Sequence, residues 1–475
     1  MAKMLNNNNP RWRKALDKIW HLNRVHVSTE MSLAYKLLKK FYKNTTIFGY
    51  PTGSKINEWI APPGWDVQHA TLKDPEGKVL ADWKKNKLSL WTYSPSFKGF
   101  VTKDQILKKI FFAKKKPNDT IFQFRNQYNF PTAEWGFCLP YKNLKKLKSG
   151  KYEVNIKTKT FKGKLEMAEQ VHNGKYKDSI LFLGHFDHPQ MCLDGLAGCL
   201  AGHEVISNLK NKKTKLTYRM LSTVEIVGSV FYANKKAKKN KIKEAVFIAS
   251  PGAKANLNYQ KSFSNISAVD NIMEHCLKYF DENSKIWNFR KGPLGNDEIA
   301  YDVGGVNIPC GSIINAPFKT YHTDKDIPSG VNEKKFNLNV ILINEIIHIL
   351  ENNSYVKRNF VGLPKLSSKK YDLYLTPARV SGKEQDLSKE KKFLSFEIPS
   401  VYHNYIETNT HKFNHLMNTI PNMCEGNHTI LDIANFVQLP FRLVENYINL
   451  WVKKKLIKKK WVYPFKINVK KKISF

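Results

Sequence analysis

The sequence predicts an α/β protein, a sheet with crossover helices, together with a small β-rich domain and a helical C-terminal unit; three textures along the chain predict it. From Tyr152 onward, short buried-type apolar runs alternate with helical patterns. Between Phe48 and about Ser149, turn signals and short β-rich runs replace that alternation. Beyond a stretch without periodicity, two short helical patterns and a strand-like run close the chain.

Taken in order, Leu33, Leu37, Leu38 and Phe41 recur at helical spacing between Met31 and Tyr42, which predicts an amphipathic helix. Turns are expected at Pro51-Thr52-Gly53, Pro62-Pro63-Gly64 and Asp74-Pro75-Glu76-Gly77, with Leu88 to Tyr93 as a strand between turns. Strands are expected at Ile180–Leu183, Leu216–Ser222 and Ala245–Ala249, and helices at Gly195–Leu209, Ala268–Phe280 and Lys334–Leu350. Residues from about Asn352 to Glu397 carry Ser367-Ser368, Lys369-Lys370 and Lys389 to Lys392 and read as a connector. Thr429 can cap a helix with Ile430, Ile433, Ala434 and Val437 facing inward. A second helix starts near Pro440 with Val444, Ile448 and Val452 inside, followed by Trp461-Val462-Tyr463. A winged helix-turn-helix and a plain helical hairpin both fit this pattern.

A chain of 475 residues has room for about three domains, and a hydrophobic fraction of 42% excludes wholesale disorder. The first thirty residues hold no apolar signal-peptide core, and no apolar run reaches the roughly 18 residues of a membrane span. A cytoplasmic location without a membrane partner is expected. Cys138, Cys192, Cys199, Cys276, Cys310 and Cys424 are scattered without paired spacing, as free thiols of a reducing compartment would be. Lys and Arg number 78 against 40 Asp and Glu, a net charge of +38 that attracts polyanions. Lysine is spread along the whole chain together with abundant Asn and Ile, as codon bias toward A and T would produce, so the charge names no partner.

The residues that carry chemistry lie at predicted strand ends, where open α/β sheets place their ligand crevices. Gly184-His185-Phe186-Asp187-His188 follows an apolar strand, and Asp194-Gly195 opens the next helix. The two-residue spacing of His185 and Asp187 allows the carboxylate to orient the imidazole behind a metal. Glu225 follows the neighbouring strand, where a carboxylate can act as general base toward water beside a metal. Asn296-Asp297-Glu298 and Tyr321-His322-Thr323-Asp324 add a late histidine and further acids. Carboxylates with imidazoles are the donor mix of zinc or manganese.

Tyr50-Pro51-Thr52-Gly53, Trp59 to Trp65, Tyr93-Ser94, Trp135-Gly136-Phe137-Cys138, the His185 and Asp194 motif, Asp297-Glu298, Tyr321-His322-Thr323, Leu363-Pro364-Lys365-Leu366 and Ile430 to Ile457 occur in one order along the chain. In these segments the sequence resembles a bacterial aminopeptidase-like family often encoded beside surface-polysaccharide genes, itself similar to the zinc aminopeptidase and carboxypeptidase clan. The resemblance implies a catalytic domain at 1–48 and 150–352, a β-rich domain inserted at 49–149, a linker at 353–398 and a winged helix at 399–475. Carried over residue by residue, it makes His185 and His322 metal ligands, Asp194 the bridging carboxylate and Glu225 the base; Asp187, His188, Asp297 and Glu298, from their positions beside these motifs, are candidates for supporting groups or additional ligands. Two positions depart from the clan: Ile226 replaces the carboxylate after the base, and Ser250 to Lys254 lacks the Asp that follows the third strand. One zinc ion held by three protein ligands is therefore expected rather than two.

The function this implies is metal-dependent hydrolysis of a peptide-like or amide bond in a small peptide-like or aminoacylated substrate. The alternatives are a catalytically degenerate binding scaffold and a nucleic-acid-binding regulator acting through the C-terminal unit. Sequence-specific nucleic-acid binding is not expected, because the helix from Pro440 offers only Arg442, Asn446 and Asn449 to base edges. A homo-oligomer is left open.

Overall fold

Ile180 to Leu183 present no polar side chain, so a strand that carries them must be covered on both faces. All four are fully buried. A computed structural model describes residues 9–128, 134–293, 295–375, 398–409 and 411–465, which fall into two compact units. One comprises Met1–Asn265 with Lys285–Val340, the other Ile266–Ser284 with Ile341–Phe475. The Lys389 to Lys392 run, with residues 376–397 of the expected connector, lies outside the described residues.

The first unit is built on an eight-stranded mixed sheet: β1 (Thr45–Pro51), β2 (Lys164–His172), β3 (Ser179–His185), β4 (Thr217–Thr223), β5 (Ile242–Ala249), β6 (Leu257–Gln260), β7 (Lys285–Trp287) and β8 (Cys310–Asn315). Their spatial order is β7-β6-β8-β5-β3-β4-β2-β1. β4, β3, β5 and β8 run parallel to one another, while β2 pairs antiparallel with both β4 and β1. The carboxyl ends of the four parallel strands therefore share one edge of the sheet.

Helices α1 (Arg11–Ile19), α2 (Thr29–Phe41), α3 (Leu196–Asn208) and α4 (Val227–Tyr232) pack on this sheet or on each other. α3 is buried nearly all round, as its Leu, Ala, Gly and Cys content requires. Gly198 lets it approach β5, since a Cβ there would come within 2.2 Å of the Ile248 carbonyl oxygen. α2 begins at Ser28, whose hydroxyl accepts from Met31 N. It buries Met31, Ala34, Tyr35 and Leu38, so of the predicted stripe Leu38 is buried, Leu37 and Phe41 are half-buried and Leu33 is 46% exposed. Tyr35 fixes this rotation by stacking on Phe186 with ring centroids 4.6 Å apart.

A four-stranded antiparallel sheet of Val79–Asp82, Gly64–Lys73, Lys151–Phe161 and Phe97–Thr102, in that order, covers a core that includes Trp65, Leu72, Tyr152, Val154 and Ile156. Lys151–Phe161 begins after residue 149 and pairs with strands on both sides, so the segment returning to β2 completes this sheet. Leu88 to Tyr93 is not a strand. The Asn86 side chain accepts from Leu88 N and starts a 3₁₀ turn at Lys87–Ser89, a local bond that competes with sheet pairing.

In the second unit, helices Ala268–Phe280, His411–Met423, Ile430–Val437 and Phe441–Lys453 accompany an antiparallel sheet with Ser354–Arg358 between Glu425–Thr429 and Ile457–Trp461. Thr429 caps its helix, its hydroxyl accepting from Asp432 N, and Gln438 ends that helix in left-handed backbone with φ 55°. Ser354–Arg358 falls within the stretch expected to connect, where an alternation of only five residues left no periodic signal. Val462 and Tyr463 lie beyond the last strand. Among the described residues, no helix is long and apolar enough to cross a membrane.

Candidate metal centre

His185 is the last residue of β3, Glu225 lies two residues past β4, and His322 lies in the loop after β8. Parallel pairing thus brings side chains from distant parts of the sequence to one sheet edge. Asp194 joins them from the loop before α3. Its Oδ1 stands 3.0 Å from His185 Nε2 and its Oδ2 2.9 Å from His322 Nε2, so one buried carboxylate is met by an imidazole on each oxygen. Gly195 makes room for this, since a Cβ there would lie 1.9 Å from His185 Cδ2 and 2.2 Å from its carbonyl oxygen. Leu193 N and Asp194 N both donate to the Asp326 carboxylate, which fixes the backbone that presents Asp194.

His188 Nε2 lies 3.0 Å from Glu225 Oε2, and ligand atoms of His185, His188 and Asp194 all fall within 4.8 Å of one another. Asp187, His188 and Glu225 form a second group at the same spacing.

Asp187 does not face His185. Its Oδ1 accepts from Glu225 N at 3.0 Å and its Oδ2 is 3.5 Å from His26 Nε2, so it ties the β3 loop to the β4 loop. The carboxylate behind His185 is instead Asp297, with Oδ2 3.2 Å from His185 Nδ1 and Oδ1 accepting from Ser229 Oγ at 2.5 Å. Two-residue spacing points both side chains the same way only while the backbone stays extended, and β3 ends at His185. Glu298 is fully buried yet turned elsewhere, accepting from Gln260 Nε2 at 3.1 Å and from the Arg290 guanidinium at 2.9 Å.

Several groups around the site carried no sequence signal. Arg24 is fully buried and donates to the carbonyls of Ile19, Trp20, Phe186 and Met191, which clamps the loop bearing Asp187 and His188. An arginine between Asn23 and Val25 reads as a surface charge, and only the fold places it here. Phe122, Phe124 and Tyr321 surround His322, with Tyr321 stacked on its ring at 4.0 Å. Ser229 and Asp326 stood beside recognised motifs and could have been found from that adjacency.

Burial works against ionised His185, but its bonds to Asp194 and Asp297 outweigh it and raise the imidazole well above its usual value. Burial likewise opposes ionised Asp194, and the charges of His188 and His322 hold it well below the ordinary carboxylate range. Burial raises Asp187, whereas Glu225, despite burial, is lowered by its hydrogen bond to His188. Such divergent carboxylates mark a functional site.

The residues present fit a divalent cation. Asp187, Asp194, Glu225 and Asp297 concentrate negative charge in a buried volume, which is costly without a cation, and oxygen with imidazole nitrogen is a zinc-compatible donor set. All six cysteines are free and buried, and neither candidate ligand group contains one. Ile226 and the Ser250 to Lys254 turn add no carboxylate.

The fold has solved counterparts. A Clostridium acetobutylicum protein provisionally named a peptidase superposes with TM-score 0.78 at 21% identity, over 94% of this chain and 96% of that one. A zinc aminopeptidase from Bacillus subtilis superposes with TM-score 0.52 at 12% identity, over 71% and 95%. The architecture is therefore the mixed sheet flanked by helices found in aminopeptidases. In sequence, the chain is 27% identical over 322 residues to a Clostridium acetobutylicum protein provisionally named a polysaccharide biosynthesis protein with aminopeptidase-like domain, covering 67% of this chain and 73% of that one. Residues 14–353 match the family described as "Domain of unknown function (DUF4910)", and the chain belongs to that family.

Proposed function

We propose that the protein is a metal-dependent hydrolase acting on a peptide-like or amide bond of a small peptide-like or aminoacylated substrate. The observation that carries this reading is the contact of His185 and His322 with the two oxygens of Asp194, beside Glu225. His185, Asp194 and His322 would hold one zinc ion, and Asp297 would fix the ring of His185. A bound zinc ion supplies a Lewis acid that polarises the scissile carbonyl. Glu225, kept ionised by His188, accepts a proton from the attacking water and delivers it to the leaving amine. Phe122 packs against both His188 and His322 and keeps bulk water off that flank.

The test pairs elemental analysis with turnover on a panel of aminoacyl and acetylated substrates. Glu225→Gln should keep the ion and lose about 100-fold or more in turnover, the usual scale for a general base. Metal lost with Glu225→Gln would make that residue a ligand, and no turnover by metal-loaded parent on any substrate would sink the hydrolase reading. A degenerate binding scaffold is the second reading, favoured by Ile226 in the place after the base. For the second unit we propose a winged helix, supported by a helix, a tight turn at Gln438, a second helix and a paired strand in succession.

A further inference from the structure

The contact with Glu225 engages one nitrogen of His188 and leaves the other unexplained. Its side chain is 1% exposed, and its backbone sits at φ 85°, a left-handed conformation that non-glycine residues adopt where the surroundings over-determine them. Register with Arg24, on the two-residue pairing of Asn23–Arg24 with His188–Pro189, is one of those constraints.

The imidazole itself is half satisfied. Nε2 faces Glu225, whereas Nδ1 is buried with no hydrogen-bond partner among the described residues, Asp187 Oδ1 standing 3.9 Å away. A purely structural buried histidine looks different: His203 has Nδ1 on Gln170 Oε1 at 2.8 Å and Nε2 on Ser222 Oγ at 2.9 Å. A buried nitrogen left without a protein partner is open to water or an ion, and this one belongs to a ring in a cluster of metal-type donors. The His188 ring centroid lies 5.0 Å from that of His185 and 5.7 Å from that of His322, so His188 stands beside both imidazoles that meet Asp194, and its ligand atom falls within 4.8 Å of those of His185 and Asp194.

We propose that His188 is itself a ligand of the ion, giving a centre of three imidazoles and one carboxylate: His185, His188, His322 and Asp194. This inference builds on the metal-binding reading above and changes its chemistry. A neutral nitrogen donor would make up for the oxygens that Ile226 and the Ser250 to Lys254 turn do not offer. Such a centre carries a single formal negative charge from its ligands, which suits one ion rather than two. Nitrogen-rich coordination also favours zinc or cobalt over magnesium, calcium or manganese.

Two measurements test this, and neither depends on turnover. X-ray absorption at the zinc edge of the zinc-loaded parent should fit three imidazoles, and two would overturn the proposal while leaving the metal-binding reading intact. Zinc titration of metal-free parent and His188→Gln, against a chromophoric chelator, should show one site weakened by more than about 100-fold. That exceeds the roughly 10–100-fold cost of losing a group that only orients a ligand. A loss under 10-fold with an unchanged melting temperature would reduce His188 to a partner of Glu225. If the variant does not fold, the absorption spectrum of the parent still decides. If the parent takes up no zinc at all, the metal-binding reading falls, and this proposal with it.

Discussion

The Asp297 carboxylate stands between Ser229 and His185, accepting from Ser229 Oγ on one oxygen and facing His185 Nδ1 on the other at 3.2 Å. A hydrogen bond there fixes the tautomer and plane of the ring and raises its basicity as a ligand. Asp297→Asn, which keeps the shape and removes the charge, should weaken zinc binding by about 10–100-fold without altering far-ultraviolet circular dichroism. Titration of metal-free protein measures this, and unchanged affinity would show that His185 is oriented by something else.

Gly195→Ala should be far more damaging than its size implies. The new methyl would collide with both the ring and the carbonyl of His185, whereas a Cβ at Gly304 meets nothing within 4 Å. Overpacking at the first position should cost about 1–3 kcal/mol and displace His185 from Asp194, while Gly304→Ala stays close to parent. Denaturant unfolding of the two variants, with zinc titration of each, makes the comparison.

Acid sensitivity should trace in part to His203. Its ring is fully buried against Tyr42, and burial, helped by the charge of Arg11, lowers its pKa from 6.5 to about 3. The unfolded chain takes up this proton near pH 6.5 and the folded chain only near pH 3. The contribution is therefore fully present above pH 6.5 and is lost as pH falls through that window, at about 1.4 kcal/mol per pH unit. His203→Gln should flatten the dependence of unfolding free energy on pH between about 4 and 6.5. Parallel curves for parent and variant would assign the acid sensitivity to other groups.

The second unit should bind duplex DNA weakly, with steep salt dependence and no sequence preference. Two of the three residues its second helix could offer to bases are already engaged within the unit. Arg442 Nε donates to Glu345 at 2.5 Å, and Asn449 Oδ1 accepts from Lys459 Nζ at 2.7 Å. Lys458 and Lys460 are exposed on the last strand, placed for phosphates. Selection from random duplexes at physiological salt with the full chain should return no enriched motif, and a single recovered motif would sink this expectation.

The sheet was legible because buried parallel strands are continuous apolar runs, and Ile180–Leu183 and Ala245–Ala249 leave no other use for such residues. The helix Ala268–Phe280 could be read to its ends because Ser267 and Asp270 form a capping box. Leu88 to Tyr93 misled for the opposite reason, since its β-prone residues are overridden by the Asn86 side chain. At the site, motif and position placed His185, Asp194, Glu225 and His322 on one edge. Which carboxylate faces which imidazole depends on where strands end and loops turn, so the exchange of Asp187 for Asp297 behind His185 was beyond sequence patterns.

Arg24 has a consequence for how the site comes into being. Its guanidinium reaches the carbonyls of Phe186 and Met191, 162 and 167 residues further along the chain. The loop that presents Asp187 and His188 is thus braced by a segment synthesised long before it, with the whole small β-sheet emerging in between. A chain begun at residue 25 would retain every group that touches Asp194 and still lack the brace, leaving the carbonyls of Phe186 and Met191 and a left-handed histidine to find water instead. The order of this loop is then inherited from the two-residue strand Asn23–Arg24 that follows the first helix, a segment that contributes no side chain to Asp194.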